Sequence, residues 1–245
     1  MNPHVAVITL GVKDLRRARK FYAEGLGWYL VMTMTQPDRG THGITGFLVS
    51  AKDPGVRVGA PEAKMGLRAS KTAAVYLESV RIPAWRRLGE EGQGFPIAMA
   101  TLDHSRIGIA AQGVGIARAA YEASVEYAQT RQTFGKKIAE HEAIAFQIAD
   151  MRVQIEAARW LTYRAAVRSE IPGVRYSKES SMAKVFATEM ANVVAARAVA
   201  IFGGYGYSRE YPVERYYRDA RVTTIYEGTS EIQRIVISKN ILAGR

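Results

Sequence analysis

The chain is 245 residues long, 48% hydrophobic and 23% charged, enough to bury one good core or two small ones. It has no cysteine and four histidines, which excludes a disulfide framework, a thiol nucleophile and a cysteine-based metal centre, and no metal site is expected. The net charge of +11 invites a nucleic-acid reading, yet basic residues never run beyond pairs such as Arg16-Arg17 and Lys136-Lys137, and they alternate with acids in EAARWLTYRAAVRSE, as on a solvated helix face. A polyanionic small ligand such as a nucleotide suits the same positive field.

In chain order, a β-type run from Val5 to Leu10 is followed by Asp14 as a helix N-cap and by the periodic stretch Leu15, Ala18, Phe21, Tyr22. From about Leu30 to Leu88 the runs LVMTMT, GITGFLV, VRVG and TAAVYLESVRI, separated by turn-rich segments, predict about four antiparallel strands. GEEGQGFP then marks a change of period. Helices are predicted over about Ile97–Arg131, Glu142–Ser169, Lys178–Phe202 and Thr229–Leu242, with a short one at PVERYYRDA, and Ser230 and Gln233 are spaced as a capping box. The breaks IPG and Gly203-Gly204 suit helix ends. The expected fold is α+β: a partial antiparallel β-domain followed by an antiparallel four-helix bundle. No apolar run approaches the roughly 20 residues that span a bilayer and no signal-peptide pattern opens the chain, so a cytoplasmic protein without membrane insertion is expected.

Near the C-terminus, TTIYEGTSEIQRIV places Glu227 before a glycine and a Thr-Ser pair at the start of a helix. A carboxylate there complements the helix dipole. Gly228 also lets a bulky ligand approach the backbone, and Thr229 and Ser230 offer hydroxyls and unpaired N–H groups to an anion, so a base and a phosphate-bearing ligand have room to meet.

IYEGTSEIQRIVI resembles the C-terminal signature of the acyl-CoA dehydrogenase family. KMGLRASKTA, DHSRIGIAAQGVGIARAAYEASVEYAQTRQTFGKKI, FQIADM, EAARWLTYRAA, SMAKVFATEMA and IFGGYGYSREYPVERYYRDARV resemble successive family segments, in order, from about Leu30 onward. The resemblance implies an enzyme, an FAD-dependent flavoprotein that dehydrogenates an acyl-CoA thioester of the short- or branched-chain type. Glu227 matches the base that takes the α-proton. Asp103, Arg106 and Gly228 match substrate-binding positions. Arg131, Phe134, Gly203, Gly204, Thr229 and Glu231 match cofactor-binding positions, and because the Arg131 and glycine-turn contacts reach a neighbouring subunit's flavin, a homo-oligomer, dimer or tetramer, is implied. Electron-transferring flavoprotein or another acceptor is the implied partner. Some relatives carry the base immediately before the position of Arg106; Ser105 stands there and cannot serve as one. Glu142 and Ala200 replace the glutamines usual in the family.

Residues 1–29, with VITLGVKDLRRARKFYAEGLGW, resemble the opening βα unit of the vicinal-oxygen-chelate, or glyoxalase-like, family. The expected organisation is therefore a glyoxalase-like fragment over 1–29, a partial β-domain over 30–92 and the helical bundle over 93–245. The family's N-terminal helical domain has no counterpart among these segments. The alternative function is a truncated or fused non-catalytic helical module that associates with itself or with a full-length relative.

Overall fold

The computed structural model describes residues 27–244, so the βα unit expected over the first 29 residues lies almost wholly outside the described part. The β-rich segment contains β1 (Trp28–Met34), β2 (Ile44–Ser50), β3 (Val56–Val58), β4 (Val75–Leu77) and β5 (Arg87–Leu88). β1 and β2 pair antiparallel with Trp28 opposite Ser50 and Met34 opposite Ile44, and β5 pairs with the other edge of β2. β3 and β4 form a separate antiparallel ribbon. Val31 and Val49 are buried in the first sheet. Arg86 lies over the Trp28 ring at 4.5 Å and donates to Asp53 at 2.7 Å, which holds the Asp53 carboxyl below its usual range and pins the segment before β5 to the start of β1.

The helical part consists of α1 (Gly94–Thr130), α2 (Glu142–Ser169), α3 (Ser177–Phe202), α4 (Val213–Arg221) and α5 (Ser230–Leu242). All five helices expected from the periodicity are present. α1 begins at Gly94 rather than near Ile97, because Pro96 sits in the first turn, where its missing N–H has no helical partner to lose. Between α1 and α2 is a small hairpin that the sequence reading did not anticipate, β6 (Gln132–Thr133) with β7 (Lys136–Lys137). Its two-residue loop has positive φ at both positions, +51° at Phe134 and +78° at Gly135, the conformation that suits the twist of a tight hairpin and that normally selects asparagine before glycine.

α3 is the hub of the bundle and packs against α2, α4 and α5. The reason is its composition. Ala183, Ala187, Ala191, Ala195 and Ala198 recur at helical spacing and are all fully buried, so neighbouring backbones approach closely. At Gly113 of α1 even a methyl group would lie 2.8 Å from the carbonyl oxygen of Ala187. Larger core residues, Met151 and Ile155 of α2 and Val194 and Phe202 of α3, fill the remaining space. One sequence expectation needs correcting here: Ser177–Tyr207 is long and apolar enough, by length and composition, to cross a bilayer, and half of its most apolar window is buried inside the protein. Its apolarity comes from the alanine and valine that let three helices close on it.

Two compact units divide the chain, one holding the described residues up to Ala63 together with Arg68–Leu102, the other Lys64–Leu67 with Asp103–Arg245. Within the second unit, Leu67 N–H donates to Asp219 at 2.6 Å and Arg218 donates to the Met65 carbonyl at 2.8 Å, which ties the short excursion Lys64–Leu67 to α4.

Candidate active site

Glu227 sits on a sharp corner between a 3-10 turn (Val222–Thr224) and α5. Its φ is +55° and that of Gly228 is +89°, two consecutive left-handed residues. For a glutamate this conformation is uncommon and costs on the order of 1 kcal/mol or more. At Gly228 a side chain would also collide, its Cβ falling 2.7 Å from Gln233 Nε2. The corner ends at Thr229, the N-cap of α5, whose hydroxyl accepts from Ile232 N–H at 3.5 Å. The expected capping box over Ser230 and Gln233 is therefore not the one formed. Cap duty falls one residue earlier, and Gln233, fully buried, turns back to donate to the carbonyls of Glu227 at 3.2 Å and Gly228 at 2.9 Å.

Around the Glu227 carboxylate the second unit assembles groups from three helices. Ser105 of α1 donates to Glu227 Oε2 at 2.5 Å, so its hydroxyl supports the carboxylate. Arg106 is buried and pairs with Asp103 at 2.6 Å. Burial pulls its guanidinium pKa down, while Asp103 and Glu227 oppose that pull. Asp103 also accepts from Ser177 at the start of α3. Lys184 of α3, fully buried, donates to the Gly228 carbonyl at 2.7 Å. Tyr226 donates to Gln112, and burial pushes its phenol up to about 12. Glu227, Gly228, Asp103 and Arg106, singled out in the sequence, are thus brought together, while Ser177, Lys184 and the clamping role of Gln233 were missed. A signal existed for Lys184: in SMAKVFATEMA it shares helical register with Ser180, Ala187 and Ala191, all buried.

Thr229 and Glu231 share the head of α5. The Thr229 hydroxyl and the residue's own backbone N–H hold the Glu231 carboxyl below its usual range. Arg131, Gly203 and Gly204 form a second group, lining a cleft of about 580 Å³ with Tyr127 and Tyr205. Arg131 lies over the Tyr205 ring at 5.6 Å. A Cβ at Gly203 or Gly204 would meet nothing within 4 Å, so this backbone is open to a bound molecule. Phe134, at the hairpin tip, is 97% exposed and does not line that cleft. A guanidinium beside an open glycine turn and the exposed Tyr205 ring is a donor set that fits a nucleotide pyrophosphate. Among the described residues no cluster of three or more metal-ligating side chains occurs.

The chain belongs to the acyl-CoA dehydrogenase family, residues 92–242 matching the model of the acyl-CoA dehydrogenase C-terminal domain. An acyl-CoA dehydrogenase of Bacillus subtilis (strain 168) is 50% identical over 216 residues, which cover 88% of this chain and 57% of that protein. Among solved structures, butyryl-CoA dehydrogenase from Megasphaera elsdenii is 46% identical with a TM-score of 0.87, over 89% of this chain and 57% of that one. A chain in the structure of the electron transferring flavoprotein of Acidaminococcus fermentans is 47% identical with a TM-score of 0.86, over 88% and 57%. The chain thus spans little more than half the length of these relatives. The α+β class and the bundle expected from the sequence agree with this family; the glyoxalase-like resemblance of residues 1–29 gains no support from it.

Proposed function

We propose that the chain carries the base and much of the substrate-facing bundle of a flavin-dependent acyl-CoA dehydrogenase of the short- or branched-chain type. The observation that carries this reading is Glu227, a carboxylate on a left-handed corner, held by Ser105 and backed by two buried cations, at the residue that the sequence resemblance matches to the family's α-proton base. The α-proton of a thioester is a weak acid, and its removal requires a fixed base together with hydrogen bonds to the thioester carbonyl. Glu227 takes the proton, its own backbone N–H supports the carbonyl oxygen, and Asp103 and Arg106 line the substrate side. Arg131, Phe134, Gly203, Gly204, Thr229 and Glu231 are the residues that would hold FAD, with Arg131, Gly203 and Gly204 reaching that of a neighbouring copy. Bound flavin supplies the acceptor for the β-hydride, and electron-transferring flavoprotein or another acceptor reoxidises it. Butyryl-CoA dehydrogenase among the structural relatives favours a short acyl chain. The partition at residues 30–92 and 93–245 belongs to the same proposal.

The direct test is spectroscopic. Purified protein is expected to be yellow and to bleach when a short- or branched-chain acyl-CoA is added without oxygen. Flavin that stays oxidised across a panel of acyl-CoA thioesters would sink the reading. Colourless protein that takes up no added FAD would favour the second reading, a non-catalytic helical module.

The dehydrogenase reading requires self-association, and the module reading has the chain associate with itself or with a full-length relative. On α2 the residues Phe146, Val153, Trp160 and Val167, seven apart, form an exposed apolar stripe on the side away from the buried Met151, Ile155 and Ala158. Such a face on a bundle helix calls for a partner, and a second copy is the occupant proposed here. Sedimentation at micromolar concentration is expected to give a dimer or tetramer, and Trp160→Glu to weaken it at least about tenfold by burying a charge in an apolar contact. A wild-type monomer under these conditions would contradict this.

A further inference from the structure

Lys184 is a fully buried cation whose presence the fold alone does not explain. Its visible bond goes to the Gly228 carbonyl at 2.7 Å, yet Gln233 already donates to the same oxygen at 2.9 Å. Satisfying that carbonyl needs one neutral amide, whereas taking an ammonium out of water costs several kcal/mol unless an opposite charge compensates it. The charges around it identify that partner. Arg106 is engaged by Asp103 at 2.6 Å. Glu189 on α3 forms a two-pronged pair with Arg234 at 2.7 and 2.8 Å. Glu231, at the head of α5, is held by the Thr229 hydroxyl and its own backbone. Glu227 is left, on the residue next to the carbonyl that Lys184 holds, and the Ser105 hydroxyl donates to its carboxylate at 2.5 Å.

We infer that Lys184 is a positioning residue for Glu227: its ammonium pins the Gly228 carbonyl, fixing the left-handed corner, and its charge holds the Glu227 carboxylate on the side it shares with Ser105. The inference deepens the proposed function and rests on Glu227 being the base. Burial and the Arg106 charge pull the Lys184 ammonium down to about 8, opposed by Glu227, Glu189 and Glu231. The lysine is therefore mostly charged at neutral pH and loses its hold on the carboxylate as the pH passes that value.

A double-mutant cycle on folding stability, run on the full chain without flavin or substrate, tests this. Wild type, Lys184→Met, Glu227→Gln and the double variant are unfolded in urea at neutral pH. A lysine that merely clamps the carbonyl gives additive effects, because Glu227→Gln leaves that bond in place. The positioning role predicts that the two effects differ from additivity by about tenfold in the folding constant. Additivity within about twofold would overturn it. Should Lys184→Met fail to fold, Glu227→Gln alone carries the test: without the carboxylate the Lys184 ammonium loses its proton more easily, so the alkaline rise in stability must begin at lower pH than in wild type. An unmoved profile overturns the inference. Since neither measurement needs turnover, coupling without flavin bleaching would remove the dehydrogenase reading and leave the lysine's role; bleaching without coupling would remove the lysine's role alone.

Discussion

Glu227→Gln is expected to slow the reduction of bound flavin by acyl-CoA by roughly two to four decades, the usual loss when a positioned general base is removed. Glutamine has nearly the volume of glutamate, and its carbonyl oxygen can still accept from Ser105, so the corner built by Gln233, Lys184 and the Thr229 cap stays in place. What disappears is the lone pair able to take the α-proton. Ser105 cannot substitute, since its hydroxyl is the donor in this pair. Rapid anaerobic mixing separates the step from substrate binding: the rate of bleaching should collapse while the concentration of acyl-CoA giving half the effect changes little. A variant within about threefold of wild type would remove Glu227 from the role. If the chain instead acts as a non-catalytic module, the substitution should register only in folding stability, as lost helix-dipole stabilisation of about 0.3 to 1 kcal/mol together with the lost coupling to Lys184.

How much of this was legible in the sequence differs from element to element, for physical reasons. The long helices could be read because their buried residues recur at three and four, as in Met151, Ile155, Ala158 and Ala165 of α2. The β6–β7 hairpin could not. Two residues per strand leave no alternation to detect, and its loop has Phe134 where a sequence reading looks for asparagine. The capping box failed for a related reason: Ser230 and Gln233 have the right spacing, but Thr229 competes for the same duty, and the sharp Glu227–Gly228 corner offers Gln233 two carbonyls that a linear pattern cannot display. Glu227 itself was readable because its neighbours are contiguous. The burial of Lys184 was legible in its helical register, but its role was not, because Arg106, Glu227 and the Gly228 carbonyl lie from 43 to 78 residues away in sequence.

That buried lysine also sets the second large effect, a rise in stability with pH in the alkaline range. In the unfolded chain Lys184 keeps its proton to its ordinary value of 10.5, whereas in the folded protein it gives the proton up at about 8. Between these values the unfolded state binds more protons, so the folded state gains stability as the pH rises; below about 8 both states are protonated and the group adds no slope. This is opposite in sign to a lysine held in a favourable salt bridge, which loses stability as it deprotonates. The shift corresponds to roughly 3 kcal/mol, and the local relaxation and water penetration that soften a burial penalty reduce the expected gain to about 2 kcal/mol. Other lysines and the tyrosines titrate over the same range, so the quantity to measure is the difference between wild type and Lys184→Met, in which their contributions cancel. Urea unfolding at a series of pH values should show wild type gaining about 2 kcal/mol on the variant across this window. A flat difference would mean that Lys184 titrates as it does in water, with neither the burial nor the neighbouring Arg106 charge acting on it. A falling difference would mean that the carboxylates, Glu227 foremost, outweigh the cost of burial and hold the ammonium above its ordinary value.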